Sequence, residues 1–156
     1  MRGIRGAEVF RQGECSGFVK YLLDTNVVSE LRRREKCDSQ VKKWQQSHDP
    51  LDCFLSVISL MELKLGIEIA MGRDQKSGAI LLEWYERRVK AGFAERILPV
   101  TASVAEVCAL LHAKRPRPFR DALIAATARV HGLEMVTRNV KDFADAGIAV
   151  VNPWEL

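Results

Sequence analysis

The residues from Val19 to Glu30 constrain this chain more than any others. Val19, Tyr21, Leu22 and Leu23 make a short apolar run with the bias of a buried strand. The run stops at Asp24, Thr25 and Asn26, three short polar side chains that favour turns and helix N-caps. Val27, Val28 and Leu31 then resume at helical spacing, with Ser29, Glu30 and Arg32 between them. A buried strand that ends on a carboxylate just ahead of a helix delivers that carboxylate to the carboxyl edge of a parallel sheet. Open α/β sheets bind their ligands at that edge. On this stretch alone Asp24 is either a helix cap or a functional group.

The same grammar repeats downstream. Gln40 to Ser47 predicts a second short helix, broken by Asp49-Pro50. Cys53 to Ile58 reads as a second strand, and Ser59 to Glu62 has the form of a capping box, with Ser59 as N-cap, ahead of a helix that Gly72 ends. Ser77 to Lys90 predicts an amphipathic helix with Ile80, Leu81, Trp84 and Val89 on its apolar side. Ile97 to Val100 reads as an edge strand, because Pro99 cannot donate to a ladder. A helix starting at Thr101 or Ser103 follows, then a loop at Pro116 and Pro118, then an alanine-rich helix from Asp121 to Val130. Leu133 to Val136 is a strand, Asn139 to Ala144 a helical turn, and Ile148 to Val151 the last strand. This alternation predicts an α/β fold: a three-layer α/β/α sandwich with a mainly parallel central sheet.

At 156 residues the chain suits one domain over 19–156. Residues 1–18 hold four glycines and no periodicity, and read as a flexible extension; a GTG start at Val19 would make them non-native. No apolar run approaches the roughly 20 residues of a membrane span, and no signal-peptide h-region is present. Four cysteines without a Cys-x-x-Cys pair argue against a zinc knuckle or a disulfide framework, and suit a reducing cytosol. The net charge of +4 says little by itself about partners, but basic residues cluster at Arg32 to Arg34 and at Lys114 to Arg120.

Carboxylates recur at the ends of strands. Asp24 follows the first, Glu62 lies one turn into the helix after the second, Asp121 opens the alanine-rich helix, and Asp142 trails the Thr137-Arg138-Asn139 turn after the fourth. Each has a structural reading as a cap or first-turn acid. Together, at one sheet edge, they would repel unless protonated or metallated. Hard oxygen ligands without histidine or cysteine suit Mg²⁺ or Mn²⁺. His48, His112 and His131 show no paired spacing.

Five motifs in order resemble a PIN domain: Leu23 to Asn26 with Ser29-Glu30; Ser59, Glu62, Leu63 and Gly66; Asp121 to Ala128; Thr137 to Asn139 with Asp142-Phe143; and Val151 to Glu155. The closing motif is similar to that of the VapC and FitB-like toxins. The resemblance covers roughly 19–156. It implies a metal-dependent endoribonuclease in the bacterial cytoplasm, the toxin of a type II toxin–antitoxin pair. The partners implied are an RNA substrate such as a transfer RNA, a second copy in a homodimer, a cognate antitoxin, and DNA only through that antitoxin. By position Asp24, Glu62 and Asp121 match the family's catalytic metal ligands. Thr25 and Thr137 match its polar support, with Asn26, Ser59 and Asn139 beside them. Asn139 falls where many relatives carry a fourth acid. Arg115, Arg117 and Arg120 are expected to hold the RNA backbone.

Three other readings compete. A catalytically weak PIN-like module that only binds RNA or antitoxin is kept open by Asn139. A haloacid-dehalogenase-type phosphatase needs a second Asp where this chain has Asn26. A dinucleotide-binding enzyme lacks its Gly-rich fingerprint.

Overall fold

Five short apolar runs build the sheet, and the computed structural model describes residues 18–156 around it. The extension expected over 1–18 lies, apart from Phe18, outside the described residues. β1 (Tyr21–Leu23), β2 (Cys53–Ser56), β3 (Ile97–Leu98), β4 (Glu134–Val136) and β5 (Val150–Val151) run in the order β3-β2-β1-β4-β5. Every pairing is parallel, with Leu22 opposite both Phe54 and Met135, Leu55 opposite Ile97, and Val136 opposite Val151. Parallel neighbours need crossovers. These come from α1 (Thr25–Leu31), α2 (Ser39–Gln46), α3 (Val57–Arg73), α4 (Gln75–Trp84), α5 (Ala102–Lys114), α6 (Phe119–His131) and α7 (Val140–Phe143).

The sandwich has a core on each face of the sheet because successive strand residues point to opposite sides. Leu22 and Met135 join one cluster with Val104, Leu111, Ala125 and Phe143; Leu23 and Val136 join the other with Val27, Trp44, Ile67 and Val89. In the first cluster Ala122, Ala125, Ala126 and Ala128 are fully buried, so α6 lies close against its neighbours. Gly132 ends α6 at φ 64°, the left-handed cap that glycine adopts without a Cβ clash. β3, which ends just before Pro99, is one edge of the sheet, as expected, and β5 is the other.

β3 stops at Leu98 and β5 starts at Val150, two residues short of the expected end and start, and three helix starts also differ from the sequence expectation. Ser56, not Ser59, caps α3, its hydroxyl accepting from the Ile58 N–H at 3.1 Å. The expected capping box is therefore absent: Ser56 offers the same oxygen three residues sooner, and Ser59 and Glu62 fall inside the helix. α6 starts at Phe119, directly behind Pro118, so Asp121 sits within its first turn. The helix expected over Ser77 to Lys90 instead begins at Gln75, capped by Asp74, and turns into a π-helix over Tyr85–Lys90. Tyr85 and Val89 in that wider turn are buried, whereas Ile80, expected on the apolar side, lies in α4 ahead of it and is exposed.

Cys37, Cys53 and Cys108 are free thiols, and burial pushes the Cys53 thiol up to about 11, so it stays protonated. Among the described residues no helix is long and apolar enough to cross a membrane.

Candidate active site

Strand order turns at β1: β2 and β3 lie on one side, β4 and β5 on the other. At such a switch point a crevice opens beyond the carboxyl ends of the strands. Asp24 leaves β1 there and Thr137 leaves β4, with the Asp24 N–H donating to the Val136 carbonyl at 2.9 Å. The Asp24 carboxylate is only 7% exposed. Thr137 Oγ1 donates to its Oδ2 at 2.7 Å, Asn26 Nδ2 to the same oxygen at 3.1 Å, and the Thr25 N–H to Oδ1 at 2.8 Å. The last bond is the helix cap. One Asp24 oxygen thus caps α1, and the other anchors a side-chain network.

That network continues outward. Asn26 Nδ2 lies 3.3 Å from Thr137 Oγ1, and Asn26 Oδ1 accepts from the Arg138 N–H at 3.4 Å. Asn139 joins through its backbone, its N–H donating to Thr137 Oγ1 at 3.0 Å. Thr25 spans the crevice, since its hydroxyl donates to Glu62 Oε2 at 2.5 Å. The other Glu62 oxygen faces the Arg120 guanidinium at 3.7 Å. Ser59 stays apart: its hydroxyl is buried and has no hydrogen-bond partner among the described residues.

Electrostatics tie Asp121 to the same place. Burial raises the Asp24 carboxyl most; Thr137 and Thr25 pull it back, while Glu62 and Asp121 push it further up. Asp121 is raised by burial first, then by Asp142 and Glu62, against Arg120 and Arg117. Asp142 thus lies close enough to push the Asp121 carboxyl up. Its sequence signal was its place three residues after Asn139, to which the spacing alone assigned no role.

The three arginines expected to hold RNA divide. Arg117 is buried, its guanidinium donating to both Asp145 oxygens at 2.8 and 2.7 Å and to the Asp142 carbonyl at 2.9 Å. With its side chain buried and three of its nitrogens already bonded to backbone and to Asp145, Arg117 clamps α7 to the α5–α6 loop. Arg115 helps it, donating to the Lys141 carbonyl at 3.0 Å, though half of its side chain is exposed. Arg120 alone reaches the carboxylates.

Among the described residues no group of three His, Cys, Asp or Glu side chains stands ready to hold a metal ion. The donor set nevertheless fits a hard divalent cation. Mg²⁺ is ordinarily held by one or two carboxylates, with waters and substrate phosphate completing its shell, and not by an all-protein cage. Two carboxyls pushed up by burial and mutual repulsion are what such a charge would relieve.

Two broad cavities lie elsewhere. One of about 470 Å³ is lined by Leu23, Val28, Leu31, Trp84 and Phe93 with Arg32, Arg34 and Arg88 at its rim. A second of about 390 Å³ shares Leu23, Leu31, Arg88 and Phe93 and adds Trp44 and Arg96. Neither is lined by Asp24, Glu62 or Asp121.

The PIN domain profile matches residues 21–148. Toxin FitB of Neisseria gonorrhoeae is 38% identical over 138 residues, covering 85% of this chain and 97% of that protein. VapC ribonuclease Y4jK of Sinorhizobium fredii is 32% identical over 139 residues, covering 86% and 97%. The crystal structure of FitAcB from Neisseria gonorrhoeae superposes with a TM-score of 0.79 at 36% identity, covering 87% of this chain and 99% of that one. A toxin–antitoxin complex from Klebsiella pneumoniae gives a TM-score of 0.62 at 29% identity, covering 88% and 100%.

Proposed function

The chain belongs to the PIN domain family, and from that premise we propose that it is a Mg²⁺-dependent endoribonuclease, the toxin of a type II toxin–antitoxin pair. The observation that supports the reading is the cluster at the carboxyl edge of β1, where Thr25 donates to both Asp24 and Glu62 and where Glu62 and Asp121 push the Asp24 carboxyl up. The names of similar proteins, a toxin and a ribonuclease, support it.

Asp24 and Asp121 would hold the cation, with Glu62 as a further ligand or as the group that orients the attacking water. A bound Mg²⁺ or Mn²⁺ supplies a lowered pKa for bound water and a clamp on a phosphoryl oxygen. The chain's own residues do the positioning. Thr137 and the Thr25 N–H keep the Asp24 carboxylate in one orientation, and the Thr25 hydroxyl keeps Glu62 aimed at the same crevice. Arg120 brings a cation to the place where the scissile phosphate would lie. Water would displace the 3′ oxygen, leaving a 5′ phosphate and a 3′ hydroxyl.

The apolar floor and arginine rim of the two cavities suit an apolar segment carrying acidic residues, such as an antitoxin tail would present. A homodimer is part of the same reading. The test is cleavage of total transfer RNA by the purified chain with Mg²⁺, with chelator, and as Asp24→Asn. We expect cleavage only in the first case, with 5′-phosphate ends; cleavage that survives chelator overturns the reading. A second reading, an RNA- or antitoxin-binding module without activity, is favoured by Arg120 already pairing with Glu62 and by Asn139 in place of an acid. It predicts RNA binding without cleavage at any Mg²⁺ concentration.

A further inference from the structure

We propose that Phe119 is a stacking platform for an unpaired nucleobase of the RNA, beside the phosphate that meets the carboxylates; this rests on the ribonuclease reading above. His112 covers one face of the Phe119 ring, with ring centroids 4.3 Å apart and planes 10° from parallel. Phe119 is nonetheless 63% exposed, so the opposite face of the ring is open to solvent. Nδ1 of His112 is buried and has no hydrogen-bond partner among the described residues. Packing, and not a hydrogen bond at that nitrogen, therefore sets the plane of the lower ring. The result is a flat, half-covered aromatic pair.

Its neighbours say what it would receive. Phe119, Arg120 and Asp121 are consecutive at the start of α6, so an aromatic face, a half-exposed guanidinium that also faces Glu62, and a carboxylate share one helical turn. That sequence of groups matches the parts of one nucleotide step: base, phosphate, and the centre that attacks it. Lys114 and Arg115, exposed at the end of α5 beside the platform, add positive charge along the path of a backbone. Stacking on aromatics within a basic track is how single-stranded nucleic acid is held, largely without regard to sequence. An exposed phenyl ring also suits a protein interface, but a parallel stacked pair flanked by cations favours a base.

The test is equilibrium binding in the non-cleaving Asp121→Asn background. The probes are a short fluorescein-labelled pyrimidine RNA and an abasic ribose-phosphate strand of the same length and charge. The parent should prefer the strand with bases. Phe119→Ala should weaken binding of that strand by about 5- to 100-fold and leave the abasic strand unchanged; Phe119→Trp should keep the preference. Equal affinity of parent and Phe119→Ala for the strand with bases overturns the platform alone. If Phe119→Ala instead alters the mass seen by light scattering without changing RNA preference, the ring is a protein interface and the proposal fails. A parent that binds neither strand overturns the RNA reading and the platform with it.

Discussion

The two sides of the crevice are built differently. On the β1–β4 side, Asp24 is almost fully buried and accepts from Thr25, Asn26 and Thr137, so its position is over-determined. On the α3–α6 side, Glu62 and Asp121 are partly exposed, and Glu62 is held by one hydroxyl and one ion pair at 3.7 Å. The first side resembles a core that happens to contain a charge. The second is held by fewer bonds. A rigid anchor facing an adjustable pair suits a site whose cation keeps part of its water shell and completes coordination with substrate.

Asp121→Asn tests the adjustable side most severely. Cleavage should fall by about 100-fold or more, since even groups that only support metal ligands are worth about 10- to 100-fold. Its melting temperature should hold, because the change removes a charge that burial and Asp142 disfavour. A variant that cuts at the parental rate in Mg²⁺ would remove Asp121 from the site. Glu62→Gln comes next. Because Glu62 lies inside α3 and caps nothing, the fold should lose no more than about 1 kcal/mol, as for an exposed ion pair, while most cleavage disappears. Unfolding by urea would expose a larger structural role.

Thr137→Val strikes the rigid side. It keeps the shape and removes a donor to a buried carboxylate, which should cost about 1.5–3 kcal/mol of stability. If instead the variant melts like the parent and loses only activity, the two sides are not as different as their hydrogen bonds make them.

The pH dependence joins the two sides. Asp24 and Asp121 have folded values raised above the ordinary 3.8. A carboxyl raised on folding holds its proton longer in the folded chain, so its contribution to stability falls as pH rises from that ordinary value through the folded one. Mg²⁺ should therefore raise the melting temperature at pH 7 and do progressively less toward pH 4. A metal effect that is the same at both pH values would mean the cation binds elsewhere. The smallest change is expected from Asn139→Asp. Asn139 touches the network through its backbone, and a new carboxylate there should tighten Mn²⁺ binding by only a few-fold in titration calorimetry. Unchanged or weaker affinity would put position 139 outside the metal's reach.

Much of this was legible from residues alone, because its causes are local. Apolar runs that stop at Asp24 and near Thr137 mark strand ends, and parallel strands share one edge, so carboxylates there are expected near one another; the second run reads on through Ile58, two residues past the end of β2 at Ser56. Gly132 and Pro99 act through their own backbone chemistry and fell where expected. What stayed hidden depends on partners far along the chain. Glu62 reads locally as half of a capping box, and only the fold brings Thr25, 37 residues away in sequence, to claim it. Arg117 reads as one more cation in a basic loop until Asp145, 28 residues on, takes its Nη2 group with both carboxylate oxygens. A residue type states which bonds a side chain can make; which of them it does make is decided by what the tertiary structure places within 3 Å or so, the ordinary donor–acceptor distance, and by whether water can compete there.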